Sequence, residues 1–267
     1  MGEIFNTFLV HPIINVLVAI YQVLLFLNLP YALGFSIVVL TILIRFLLYP
    51  LISSQLKASR KMQELSPHLS RLKEKHKGDT KTLQQETMKL YKEFGVNPAS
   101  GCLPVLIQLP IIWALYSVLQ QIVTFNSSAV VSEVNKIIYP SLSFLKLNNP
   151  WDQYFFGLPL GQTPANLWPT LGILVILVPV ATGVFQFIQS KMMFAKPKNL
   201  QAEGVDPKKK NDDFASVFQS QSLYIFPVMI AFFSYTFAIG LSLYWNTFTV
   251  FGIIQQYLVN KSHEEKK

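Results

Sequence analysis

The sequence predicts an all-α integral membrane protein, and three observations carry that class. Of 267 residues, 51% are hydrophobic and only 13% charged, about half the charged share of an ordinary soluble domain. Apolar runs near 33–53, 103–123, 168–190, 222–240 and 243–260 approach or reach the roughly 20 residues a helix needs to cross the hydrocarbon layer. None alternates with the period of a barrel strand, and backbone polar groups in lipid have to be satisfied within their own segment, so the runs are read as helices. Ten Lys or Arg fall in 54–101, six in 191–222 and three in 261–267, against Lys136 and Lys146 alone in 124–167. Basic loops stay cytoplasmic, so five spans with an outside amino terminus and an inside carboxyl terminus are expected. The same loops suit anionic lipid or ribosomal RNA, although retention alone explains their charge.

Residues 1–32 contain no Lys or Arg, so no basic n-region of a cleavable signal is evident. Residues 4–27 are apolar enough to suggest a sixth span. His11, Asn15 and Gln22 share one helical face, however, and Pro12 interrupts the start, which favours a helix lying flat at the outer interface. In the first span, Gly34, Thr41, Arg45, Tyr49 and Ser53 share a face at spacings of seven, four, four and four. Within 55–95, Met62, Leu65, Leu69 and Leu72 form one helical stripe and Leu83, Thr87, Leu90, Tyr91 and Phe94 another. Gly78-Asp79 supplies a turn and a cap between them and Gly95 a stop, so a cytoplasmic helical hairpin is expected, kinked at Pro67.

The second span offers Gln108 and Ser117 as polar members. The loop 124–167 combines four prolines with Trp151, Tyr154, Phe155 and Phe156, joined by Trp168 just beyond it, a composition suited to resting on the headgroup layer. The third span carries Thr182, Gln186, Gln189 and Ser190, and the Lys- and Asp-rich stretch 195–213 is expected to be disordered. Spans four and five are joined by Gly240-Leu241-Ser242 in a tight hairpin, and the fifth carries Trp245, Asn246, Thr247 and Thr249.

Arg45 is the residue that asks for a function. A cation near the middle of a spanning helix costs about 2.5–3.5 kcal/mol on insertion scales, and all fourteen Asp and Glu lie outside the five spans. Snorkelling along ten residues to Gln55, about 15 Å of helix, exceeds the comfortable reach of the side chain. The remaining solution is a water-filled cavity open to the cytoplasm, with Thr41, Tyr49, Gln108, Gln186, Gln189, Trp245 and Thr247 as candidate lining residues. Hydroxyls in spans also serve simply as glue between helices, and Trp245 also fits as a packing aromatic.

Enzymatic chemistry finds no support. His11, His68, His76 and His263 all lie outside the spans, with no HExxH, no serine elbow, no phosphate loop and no paired carboxylates. A lone cysteine, Cys102, permits no intrachain disulfide and no cysteine metal cluster. Coupled pumps need an intramembrane carboxylate. Three classes remain: a channel or transporter for small anions with Arg45 as its selectivity charge, a passive assembly factor, and a protein that accepts acidic segments of another polypeptide.

The string LYKEFGVNPASGCLPVLIQLPI at 90–111, followed by FIQSKMM at 187–193 and GLSLYWNTFTVFGIIQQ at 240–256, resembles the YidC/Oxa/Alb family of membrane protein insertases over about residues 5–260. The resemblance implies a five-helix core that inserts small membrane proteins and helps others fold, alone or beside the Sec translocon. It implies a hydrophilic groove open to cytoplasm and lipid but closed outside. The family's groove arginine falls on Arg45, its Gln on Gln189 or, one turn away, Gln186, and its Trp on Trp245. The hairpin is implied in substrate recruitment. Implied partners are membrane polypeptides, the lipid bilayer, the Sec translocon and the ribosome or signal recognition machinery, with no cofactor, no metal and no specific nucleic-acid sequence. The tail KSHEEKK is short and mixed in sign, which weakens tail-mediated ribosome contact. The large extracytoplasmic domain of many Gram-negative members and the lipoprotein signal of many Gram-positive members are not expected here. The implied home is the bacterial plasma membrane.

Overall fold

The computed structural model describes residues 2–76, 78–95, 103–123, 127–194 and 214–264, with the side chains at 103–108, 120–123, 127–130 and 214–222, among others, outside the description. The expected disorder of 195–213, the motif segment 96–102 and the side chain of Gln108 therefore lie outside the described residues.

Helix α1, Glu3–Phe26, is 24 residues long and apolar enough to cross a membrane by length and composition. Pro12 has no N–H to give, and the chain accommodates this with a wider π-type turn at Asn6–Val10. The polar face that suggested a helix lying in the interface does not address water. Asn15 Nδ2 donates to the carbonyls of His11 (2.8 Å) and Ile137 (3.1 Å), and its Oδ1 accepts from the Tyr139 amide (2.9 Å). Gln22 Nε2 donates to the Leu145 and Lys146 carbonyls at 3.2 and 3.3 Å. Ile137 and Leu145 end helical turns of the outer loop, where carbonyls run out of partners along the chain, and α1 supplies the missing donors.

Helix α2, Ala32–Leu47, gives way at Leu48 to α3, Tyr49–Lys75, and the two axes meet at 63°. Pro50 withholds the N–H that would have continued the ladder, which breaks the straight span expected over 33–53. Arg45 consequently stands in the last turn of α2, while Tyr49 and Ser53 belong to the next helix. Helix α3 runs on through Pro67 without a break and turns at Gly78 (φ +92°) into α4, Thr80–Glu93. Asp79 caps α4 by accepting from the Thr82 amide at 3.0 Å, and the Thr82 side chain together with that amide holds its carboxyl below the usual range. Leu65 is buried, the His68 and Phe94 rings lie 5.5 Å apart, and Arg60 Nη1 donates to Asn260 O (3.1 Å) and Oδ1 (3.2 Å), tying the hairpin to the end of the last helix.

Helix α5, Leu103–Val123, and α6, Ser127–Ile137, precede a 3-10 turn at Pro140–Leu145 and a two-stranded hairpin, β1 Tyr154–Phe155 and β2 Leu158–Pro159. The outer loop is only partly a surface belt. Trp151 is buried edge-on against Tyr21 at 5.5 Å, and the Phe155 ring lies directly over Gly34, where a Cβ would collide with it. Tyr154, Phe156 and Trp168 stay exposed. Helix α7, Pro164–Leu171, continues through a 3-10 turn at Gly172–Ile176 into α8, Leu177–Phe194; together Pro164–Met193 is a second run long and apolar enough to span. Helices α9, Phe214–Thr236, and α10, Ile239–Glu264, are joined at Phe237–Ala238, earlier than the expected Gly240-Leu241-Ser242. Gly240 belongs to α10, and the Ile239 and Gly240 amides donate to the Gln162 (2.9 Å) and Leu160 (2.7 Å) carbonyls, so the outer loop caps this helix.

At the end that meets the outer loop, Ile14, Leu17, Leu33, Val118, Leu160 and Tyr244 belong to one apolar core, with Asn15, Ser36 and Ser242 buried among the polar residues there. Towards the hairpin end the buried polar set includes Arg45, Ser53, Ser190, Thr249 and Gln255. A hydroxyl chain pins α8, α9 and α10 together. Thr182 Oγ1 donates to Val178 O (2.9 Å), so it accepts from Ser234 Oγ (3.1 Å), which in turn accepts from Ser242 Oγ (2.9 Å). Ser234→Ala leaves Thr182 with Val178 O and Ser242 with Ser234 O, so a loss of only about 1 kcal/mol is expected, read as a lowered thermal midpoint in detergent.

Candidate functional site

Arg45 lies where α2 packs on α10, beside α8. Its side chain is 3% exposed, enclosed rather than open to water as expected from the sequence. Nη2 donates to the Phe248 carbonyl at 2.6 Å, and Cζ sits 3.4 Å above the centroid of the Phe248 ring. Nε is buried without a partner among the described residues. One residue of α10 thus meets the cation with both a carbonyl dipole and a π face. The last turn of α2 adds the negative end of its own dipole.

One helical turn beyond Phe248 comes Gly252. A Cβ there would fall 2.7 Å from Arg45 Nη2 and would also collide with Gln189 Nε2, so the guanidinium and the Gln189 amide share the space over this glycine. Gln186 does not compete with Gln189 for that place. It accepts from Trp245 Nε1 at 3.1 Å, so the two glutamines of α8 contact α10 at two different levels. Thr41 is buried on the Arg45 face of α2 and donates to Ile37 O at 2.6 Å.

Other expected lining residues lie apart. Tyr49 is 40% exposed beyond the bend at Leu48. Thr247 donates to Leu243 O at 2.8 Å and faces a cleft of about 330 Å³ with Ile42, Asn246 and Phe251, which does not include Arg45. The sequence reading does not single out Phe248, Gly252 or Gln255. Gln255 Nε2 donates to Ser53 Oγ at 3.3 Å while its Oε1 is buried without a partner among the described residues. Thr249, Gly252 and Gln256 recur at helical spacing, a small and polar stripe in an apolar helix that marks this face.

A family profile described as 60Kd inner membrane protein matches residues 24–266. The chain belongs to that family. Among 60Kd inner membrane protein relatives, one named membrane protein insertase YidC from Streptomyces avermitilis is 35% identical over 236 residues, 87% of this chain and 52% of the relative. Relatives of the same name from Oceanobacillus iheyensis and Fusobacterium nucleatum are 32% and 31% identical, covering 77% and 86% of those proteins. A crystal structure described as an active YidC insertase with its first transmembrane domain resolved shares the fold, with a TM-score of 0.57 at 24% identity over 96% of this chain and 47% of the other. The chain therefore spans about half the length of the Streptomyces relative and of that crystal structure.

Proposed function

We propose that this chain is a membrane protein insertase of the bacterial plasma membrane, working without covalent chemistry on short, single- or double-spanning polypeptides. The observation that carries the reading is Arg45, a buried cation held by a neutral carbonyl and a ring instead of a carboxylate. Its desolvation is met only in part, since Nε has no partner among the described residues, and its attraction for a guest carboxylate is stronger there than in bulk water. A guest carboxylate brings a full negative charge where the Phe248 carbonyl brings only a dipole, so the acidic tail of a guest displaces that carbonyl. The guest's apolar segment then gains about 25 cal/mol per Å² by leaving polar surroundings for lipid, which draws the tail across. No nucleotide enters the scheme.

The buried Arg45, Ser53 and Gln255 near the hairpin end support a path entered from the cytoplasm. This reading keeps five spans, an outside amino terminus and a cytoplasmic carboxyl terminus, with the basic segments as contacts for the ribosome and cooperation with the Sec translocon. Small-anion transport is the less supported alternative, because the relatives at 32–35% identity are named insertases. Photocrosslinkers at positions 45, 189 and 245 are expected to capture a nascent single-span chain. A passive scaffold instead crosslinks from lipid-facing positions such as Val228 and Leu174, and capture confined to those would remove the insertase reading.

A further inference from the structure

We propose that Gly252 is a positioning residue of the insertion site, the floor that seats Arg45 and Gln189 against α10. This inference rests on the insertase reading above. The three atoms nearest to a Cβ at position 252 are Gln189 Nε2, Arg45 Nη2 at 2.7 Å and Arg45 Cζ at 3.4 Å, all in side chains of other helices and none in backbone. A methyl group at this position therefore displaces the ends of two side chains, Gln189 and the enclosed Arg45, and meets no backbone of another helix. Alanine is also the better helix former, so the substitution has no reason to unfold α10. Both nitrogens held over Gly252 are hydrogen-bond donors. Together with the carbonyl and ring of Phe248 one turn away, the glycine fixes where a guest carboxylate meets the site.

Positional errors of about 1 Å at such a site reduce rates by as much as 10²-fold. Gly252→Ala, reconstituted as the full chain in liposomes, is expected to insert an acidic-tailed single-span substrate about tenfold more slowly. A neutral-tailed version of the same substrate should change less than about twofold, and the thermal midpoint should equal or exceed that of wild type. The ammonium of lysine is more compact than guanidinium and leaves the methyl group only Gln189 Nε2 to displace, so Gly252→Ala added to Arg45→Lys should cost less than it costs in wild type, a non-additivity that separates positioning from general damage. Wild-type insertion of the acidic substrate by Gly252→Ala overturns the proposal. Equal loss on both substrates, or an undiminished loss in the Arg45→Lys background, overturns it as well. Arg45→Ala in the same assay separates the two levels: a defect there with a silent Gly252→Ala sinks only the positioning role, whereas a silent Arg45→Ala sinks the counter-charge reading with it.

Discussion

Arg45→Ala is expected to lower insertion of acidic-tailed single-span substrates by about 10- to 100-fold, since a hydrogen bond to a charged group is worth about 1.5–3 kcal/mol and 1.4 kcal/mol is a factor of ten. Arg45→Lys should keep much of the activity, because a lysine still offers a cation, though without the planar fork. Arg45→Glu should lose it, placing like charge before the incoming tail. The measurement is protease protection of one substrate in liposomes with each variant, paired with a neutral-tailed control that should respond by less than about threefold, having no carboxylate to lose. Removing the guanidinium frees the Phe248 carbonyl and ring from a buried charge, so folding is expected to survive the alanine change. Equal insertion by wild type and a folded Arg45→Ala protein would falsify the counter-charge role.

The helical class, the hairpin turn at Gly78-Asp79 and the meeting of Arg45 and Gln189 with α10 have local signals in the sequence: apolar length, turn residues, or a polar atom out of place in an apolar run. Features set by tertiary contact have none. Phe248 holds the cation through its backbone carbonyl as well as its ring, and a backbone acceptor has no signature in side-chain chemistry. Gly252 reads as an ordinary break in helix propensity until two side chains from other helices are seen to meet above it. The break at Leu48 had its cause in view, Pro50, but an apolar run continuing to residue 53 fits a straight span equally well until the 63° bend is seen. Trp151 and Phe155 have the composition of an interfacial belt, yet Tyr21 and Gly34 receive them inside.

The polar face of α1 illustrates the same ambiguity and yields the prediction with the largest effect on stability. A stripe of His11, Asn15 and Gln22 serves a helix facing water or a helix bonded to a neighbouring loop, and periodicity does not separate the two. The structure makes Asn15 the deciding residue: it is 3% exposed and bonds Ile137 O, Tyr139 N and His11 O at once. Asn15→Leu keeps the volume but takes the Asn15 partner from the half-buried Ile137 carbonyl and Tyr139 amide. A fully buried group of this kind costs about 1–3 kcal/mol, so for two half-buried ones a loss of about 2–3 kcal/mol is expected. Gln22→Leu should cost far less, since one of its two carbonyl bonds is exposed and water replaces the missing donor. Thermal unfolding of the two variants in detergent, with hydrogen exchange followed across 137–147, separates the alternatives. If the polar stripe of α1 instead faced water, the two variants would be equally mild and exchange in the loop would not change. A steep loss for Asn15→Leu alone, with faster exchange at Tyr139, fixes α1 as the support on which the outer loop is built.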